Sequence, residues 1–286
     1  MTVWLADSCK TNLVHVVCAL APARAPLLLS FYYFRTVDIA DLFVDCDPMP
    51  DVLLDSGAYS ACTRGERVDV VEYADYIQRN AAHIALCVNL DVIGDHQKTH
   101  RNQQYLEKRG VRPLPVFHAG SPTEVLRDLV AEYSYVGLGG IAIKRTAHFA
   151  PWIRKCFEIA GETKLHGFGV SNWLLLRAFP WHSVDHTSWG QGFRYGCVPV
   201  FDPRRGAFIK VNLRDRETAW RHSRLLYEYG FSPNDAALWT KDKRPALCKV
   251  AALSWMKAAG WLSEWHERHS SAITHETNEE VIRCVQ

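Results

Sequence analysis

Val52-Leu53-Leu54-Asp55-Ser56-Gly57 is an apolar, strand-like run closed by a carboxylate and then by a glycine that permits a tight turn. The same pattern recurs at Leu86-Cys87-Val88-Asn89-Leu90-Asp91 and at His182-Ser183-Val184-Asp185-His186-Thr187. An Asp that ends a buried strand is left at the strand's carboxyl end, where α/β barrels keep their chemistry. One such Asp is an ordinary turn or cap residue. Three in one repeating context predict a shared site.

Outward from these runs, short β-branched stretches alternate with longer amphipathic ones from about Leu27 to Val211. Predicted strands are Leu27–Phe31, Val52–Leu54, Ile84–Asn89, Leu114–Phe117, Tyr135–Leu138, Leu165–Phe168, Ser183–Asp185 and Ala207–Val211, with Val14–Leu20 as a further candidate. Between them, Val70, Val71, Ala74 and Ile77 follow Asp69 at helical spacing, which makes Asp69 an N-cap. Pro122 is placed at the first position of a helix carrying Val125, Leu126, Leu129 and Val130, and Pro151, Ile153, Phe157 and Ile159 mark a third helix. Strand–helix alternation implies right-handed crossovers and a parallel sheet. About eight units in roughly 200 residues favour a closed (β/α)8, TIM-like barrel over an open sheet. The chain is divided into a barrel over 1–212 and a helical extension over 213–286. The extension holds helices from Arg216 to Tyr229 and from Pro245 to about His269, then a polar end expected to be mobile.

Composition narrows the class. With 286 residues, 48% hydrophobic and 12% aromatic, the chain can bury a sizeable core and is not disordered. A net charge of +2 predicts no partner by bulk charge, so nucleic-acid affinity must come from local patches. The 9 cysteines form no Cys-x-x-Cys pair, which points to a reduced, cytoplasmic protein with mostly buried thiols rather than a disulfide scaffold. The longest apolar stretch, Leu27 to Phe34, is too short to span a bilayer. A soluble protein without a membrane partner is expected.

Several residues carry candidate chemistry, each with two readings. In Asp55-Ser56-Gly57-Ala58-Tyr59 the backbone can approach a ligand while Tyr59 offers a flat face; the run also suits a plain strand-to-loop corner. Gly137-Leu138-Gly139-Gly140-Ile141 exposes amides after a strand, but its spacing is not that of a dinucleotide fingerprint. His118 and His166 lie at strand ends, His182 and His186 flank Asp185, and the set suits either a metal or hydrogen bonds to substrate and carboxylates. Arg204, Arg205, Lys210, Arg214 and Arg216, with Lys241, Lys243, Arg244 and Lys144-Arg145, form basic clusters near Trp220, Trp239 and Trp255. They fit a phosphate-tracking surface or solvated helix faces.

In their order along the chain, these motifs resemble the tRNA-guanine transglycosylases, and more closely their phage relatives that place 7-deazaguanines in DNA. The resemblance covers about Val52 to Gly196. Asp55-Ser56-Gly57-Ala58-Tyr59 is similar to the family's Asp-Ser-Gly-Gly-Phe/Tyr run, and Asp91 falls where the family reads the guanine edge. Val116-Phe117-His118-Ala119-Gly120 resembles a segment with a base-reading Gln, here His118. Gly139-Gly140-Ile141 is similar to a Gly-Gly-Leu whose backbone meets the base. Gly167-Phe168-Gly169-Val170 resembles Met-Gly-Val-Gly, and Val184-Asp185-His186-Thr187-Ser188-Trp189 the nucleophile's run. The family's Cys-x-Cys-x-x-Cys plus His zinc site is missing, as is a tRNA-binding appendage.

The resemblance implies a glycosyltransferase that exchanges guanine in DNA for a 7-deazaguanine, such as 7-cyano-7-deazaguanine, with no metal and no cofactor. Asp185 would be the nucleophile and Asp55 the proton acceptor. Asp91, Ser56, Tyr59, His118, Gly139, Gly140, Ile141 and Phe168 would hold the base. Arg204, Arg205, Lys210, Arg214, Lys241, Lys243 and Arg244 would hold the strand. The alternatives are an RNA-acting transglycosylase, a metal-assisted barrel hydrolase and a non-catalytic nucleic-acid-binding barrel.

Overall fold

A computed structural model describes residues 1–141, 149–190, 197–212, 215–236 and 244–269. Eight parallel strands form one curled sheet: β1 (Thr2–Ala6), β2 (Pro26–Ser30), β3 (Asp51–Asp55), β4 (Leu86–Cys87), β5 (Val116–His118), β6 (Tyr135–Gly139), β7 (Lys164–Gly167) and β8 (Ser183–His186). Their order is β4-β3-β2-β1-β8-β7-β6-β5, the cyclic order of eight strands opened between β4 and β5. At that seam Val88 and Leu114 form a single parallel bridge, with Leu114 N donating to Cys87 O at 2.8 Å and Asn89 N to Leu114 O at 2.9 Å. A full strand pair does not form there, so the sheet curls without a complete ladder around it.

Helices follow the strands: α1 (Lys10–Leu20), α2 (Phe31–Phe34), α3 (Ile39–Leu42), α4 (Ala58–Cys62), α5 (Val70–Arg79), α6 (His96–Lys108), α7 (Thr123–Glu132), α8 (Ala150–Ala160) and α9 (Trp173–Ala178). Asp69 caps α5 as expected, accepting from Val71 N and Glu72 N. Pro122 is the N-cap of α7 rather than its first helical residue.

Three expectations are corrected. Val14–Leu20 lies in α1, because its buried residues Leu13, Val16, Val17 and Leu20 fall at helical spacing despite their β-branching. The first strand is instead Thr2–Ala6, which was missed. Ala207–Val211 is a strand as expected, within β10 (Ala207–Asn212), but it pairs antiparallel with β9 (Cys197–Asp202) in a separate hairpin rather than joining the parallel sheet. Thiol burial also falls short of expectation, since only Cys46, Cys87, Cys156 and Cys248 of the eight described cysteines are buried.

Strand period two sorts side chains to the two faces of the sheet. Val3 and Leu5, Leu27 and Leu29, Val52 and Leu54 and Val184 join the large core under the helices. The alternate residues Trp4, Ala6, Leu28, Leu53, Val88 and Val116 form a second, smaller core inside the curl, with Phe168 against it. Asp55, His118, Gly139 and Asp185 continue this inner set at the strands' carboxyl ends.

Beyond the hairpin, the predicted Arg216–Tyr229 helix is two short ones, Arg216–Arg221 and Ser223–Glu228, separated at His222. The helix Arg244–His269 packs against α1 and β9. Its Trp255 ring lies 4.0 Å from that of His186. No described helix is long and apolar enough to cross a membrane.

Candidate active site

A cavity of about 530 Å³ opens at the carboxyl ends of the strands. Ala6 and Asp7 of the β1 end, Ser30 of β2, Asp55 of β3, Asp91 beyond β4, His118 of β5, Gly139 of β6, Phe168 beyond β7 and Asp185 of β8 all line it. The three strand-terminal Asp therefore converge, although they are far apart in sequence.

Asp55 is set by the turn that follows it. Gly57 adopts φ +74° and its N–H donates to Asp55 Oδ2 at 2.8 Å. A Cβ on Gly57 would lie 2.4 Å from both Ser30 Oγ and Tyr32 Cβ, so only glycine fits. Gly57→Ala is expected to cost about 2–4 kcal/mol through clash and positive φ together; a fall in thermal midpoint of only a degree would contradict this. Burial, the nearby Asp91 and more weakly Asp185 push the Asp55 carboxyl up to about 7, against a partly offsetting Gly57 N–H. A carboxyl held there can both give and take a proton near neutral pH.

Asp91 is held from two sides. His118 Nε2 lies 2.7 Å from its Oδ2, and Ser56 Oγ donates to Oδ1 at 3.4 Å. A side chain on Gly139 would meet the His118 ring within 2.8 Å, so that glycine makes room for the imidazole. Each Asp91 oxygen keeps a lone pair for a ligand.

Asp185 is buried. Its Oδ1 accepts from Gly169 N at 3.1 Å, and His166 Nε2 stands 3.3 Å from the same oxygen, off the line of a hydrogen bond. Phe168 crosses the His166 ring edge-on at 4.4 Å and packs over Gly137, where a Cβ would lie 2.6 Å from Phe168 Cε2. Tyr59 lines the cavity with 53% of its surface exposed.

Other expected base contacts are placed differently. Ser56 is fully buried and reaches the cavity only through Asp91, while the Ile141 side chain lies in the main core. The expected strand-binding residues Arg204, Arg205 and Lys210 are on the β9–β10 hairpin and do not line the cavity. Arg204 pairs with Asp202 at 3.3 Å and Glu228 at 3.2 Å, and Arg205 lies 3.7 Å from Asp202. Arg214, Lys241, Lys243, Lys144 and Arg145 lie outside the described residues, as does the Arg244 side chain.

His118, His166, His182 and His186 do not gather. His118 faces Asp91, His166 bonds Ser183, and His182 lies edge-on to Tyr135 at the other end of the sheet. His186 Nδ1 is 2.9 Å from Ser188 Oγ, and burial lowers this imidazole to about 4. Among the described residues no group of three or more His, Cys, Asp or Glu is placed to hold a metal ion.

Sequence reasoning missed Asp7, Ser30, Tyr33 and Ser171, all of which line the cavity. Asp7 had a visible signal, since Val3-Trp4-Leu5-Ala6-Asp7 repeats the pattern of an apolar run closed by Asp. It accepts from Cys9 N and Asn12 Nδ2, which ties the start of α1 to the end of β1. Tyr33 is 40% exposed, and the Arg64 guanidinium lies 5.5 Å from its ring and 5.6 Å from that of Tyr32. Compared with known proteins, the chain matches no family model and no curated sequence.

Proposed function

We propose that this chain is a (β/α)8-barrel glycosyltransferase that exchanges guanine in DNA for a 7-deazaguanine through a covalent Asp185–sugar intermediate. The observation that carries the reading is the convergence of Asp55, Asp91 and Asp185 on one cavity with Asp55 held near 7. The motif order described above supplies the reaction class.

Breaking a glycosidic bond at C1′ passes through a transition state of oxocarbenium character, which a carboxylate on the far face can trap. Asp185 attacks C1′ as the C1′–N9 bond breaks. The departing guanine nitrogen takes the electron pair and the proton that Asp55 holds. The incoming 7-deazaguanine then gives its N9 proton to Asp55 and attacks C1′, and the bond to Asp185 breaks. Both carboxyls end as they began. Asp91, braced by His118 and Ser56, accepts from the base's N1–H and exocyclic amine. Tyr59 and Phe168 offer faces to the ring. A base inside a duplex is out of reach, so it enters flipped out or from a single strand.

The strand's path is read at the mouth, where Tyr33 and Tyr59 are exposed and Arg64 lies against the Tyr33 ring. Exposed aromatics beside a guanidinium suit flanking bases and one phosphate. Arg64→Ala is expected to weaken binding of a single-stranded oligonucleotide and to lower the slope of log affinity against log salt by about 0.7. An unchanged slope would remove Arg64 from the interface.

Incubation with radiolabelled guanine or 7-deazaguanine and, separately, duplex DNA, single-stranded DNA and tRNA tests the activity. Label in DNA alone is expected. Label in tRNA alone would move the enzyme to the RNA-acting branch, and none in any acceptor would overturn the reading.

A further inference from the structure

Beneath the cavity, the inner face of the sheet carries a buried polar chain that the reaction above leaves without a task. Tyr135 opens β6, Ser183 opens β8 and His166 lies within β7 between them. Tyr135 OH is 2.5 Å from Ser183 Oγ, Ser183 Oγ is 2.6 Å from His166 Nδ1, and His166 Nε2 is 3.3 Å from Asp185 Oδ1. His166 is 0% exposed and Ser183 2%. In so dry a place polar groups must serve one another.

Hydrogen accounting selects one arrangement. A proton on Nδ1 would turn the Nε2 lone pair toward the Asp185 carboxylate, which repels it. With the proton on Nε2, Nδ1 accepts from Ser183, Ser183 Oγ accepts from Tyr135, and Nε2–H faces the carboxylate. Every donor then points toward Asp185.

We infer that His166 is a positioning residue for Asp185, its Nε2–H tautomer selected by the Asp185 carboxylate and supported from behind by the Ser183 and Tyr135 hydroxyls, so that Oδ1 is held and Oδ2 is the attacking oxygen. The inference rests on the base-exchange reading for its kinetic consequence and deepens it. Gly169 N–H and His166 both address Oδ1, and among the described residues Oδ2 receives no hydrogen bond. When Oδ2 bonds to C1′, Oδ1 becomes the ester carbonyl oxygen. When that bond breaks, charge returns to the carboxylate and the Nε2–H stabilises it. The contact, 3.3 Å and off the line of a hydrogen bond, tightens at that moment, as catalytic hydrogen bonds commonly do. His166 keeps its proton throughout.

Nitrogen NMR of the ¹⁵N-histidine-labelled chain, without substrate, is expected to show His166 as the Nε2–H tautomer, with the preference weakened in Asp185→Ala. The Nδ1–H tautomer in the unaltered protein would overturn the relay whatever reaction the chain performs. In base exchange, His166→Ala is expected to lower kcat about 10²–10³-fold, the usual loss for one preorganised donor, with KM for the oligonucleotide unchanged. His166→Gln, whose amide N–H can reach Oδ1, should restore part of that loss. Tyr135→Phe, which removes one oxygen, gives a smaller loss of the same kind if the Ala variant does not fold. A raised KM with kcat intact would contradict the positioning role. An Nε2–H tautomer in a chain that exchanges no base would leave the relay standing and remove the base-exchange reading instead.

Discussion

Under the proposed function, Asp185→Ala is expected to abolish base exchange, with a loss on the order of 10⁴–10⁶-fold, as for enzymes stripped of their nucleophile. The reason is local. Asp185 ends the inner face of β8, is buried, and has one oxygen fixed by Gly169 N–H at 3.1 Å and approached by His166 at 3.3 Å. No hydroxyl or amide placed there could trap an oxocarbenium-like carbon as an ester. Alanine also leaves the Gly169 N–H without its acceptor, at about 1–3 kcal/mol, so Asp185→Asn is the cleaner variant: it keeps an acceptor and loses the nucleophile. Both should fail to incorporate labelled base, while Asp185→Asn melts close to the parent. Turnover by either would remove Asp185 from the reaction.

Asp55→Asn is expected to lower exchange about 10²–10⁴-fold, the range of a lost general acid–base. Some covalent adduct should still form and then persist, because the incoming base has nothing to take its proton. With Asp55 near 7, capture of the incoming base should speed up as pH rises to about 7 and then level off; the variant should lack this dependence. Stability moves the other way. Asp55 stands above the 3.8 of an unhindered Asp, so the folded chain holds a proton that the unfolded chain has released. Its contribution is fully present below about pH 4, declines as pH rises toward 7, and is lost above that. Asp55→Asn should therefore raise the thermal midpoint more at pH 8 than at pH 5. Equal shifts at both values would place Asp55 in an ordinary solvated setting. His186 acts oppositely: burial keeps it uncharged in the fold, so stability declines as pH falls from 6.5 toward 4.

Much of the scaffold was legible because apolar runs closed by turn residues are local signals. Seven of the parallel strands and all three central carboxylates follow from such runs. The first strand carries the same signature in Val3-Trp4-Leu5-Ala6-Asp7, whereas the β-branched Val14–Leu20 is helical because its buried residues fall at helical spacing. β4 is two residues long and β5 three, and only the Val88–Leu114 bridge just beyond β4 and before β5 joins that seam, a pairing that strand propensity does not encode. What the sequence hides is pairing at a distance. Arg204 reads as a free cation until β9 places Asp202 beside it. His166 reads as a metal candidate until neighbouring strands bring Ser183 and Tyr135 to it, 17 and 31 residues away in sequence. The elevated state of Asp55 is likewise a product of burial in the fold, with Asp91 and Asp185 brought beside it from distant parts of the chain.

The nucleophilic role of Asp185 is tested most directly by mass spectrometry of the protein digested after incubation with a guanine-containing single-stranded oligonucleotide and no incoming base. Base exchange through Asp185 requires a covalent sugar adduct on the peptide carrying Asp185, discharged when a 7-deazaguanine is added. An adduct on any other residue, or base exchange with no adduct at all, would contradict it.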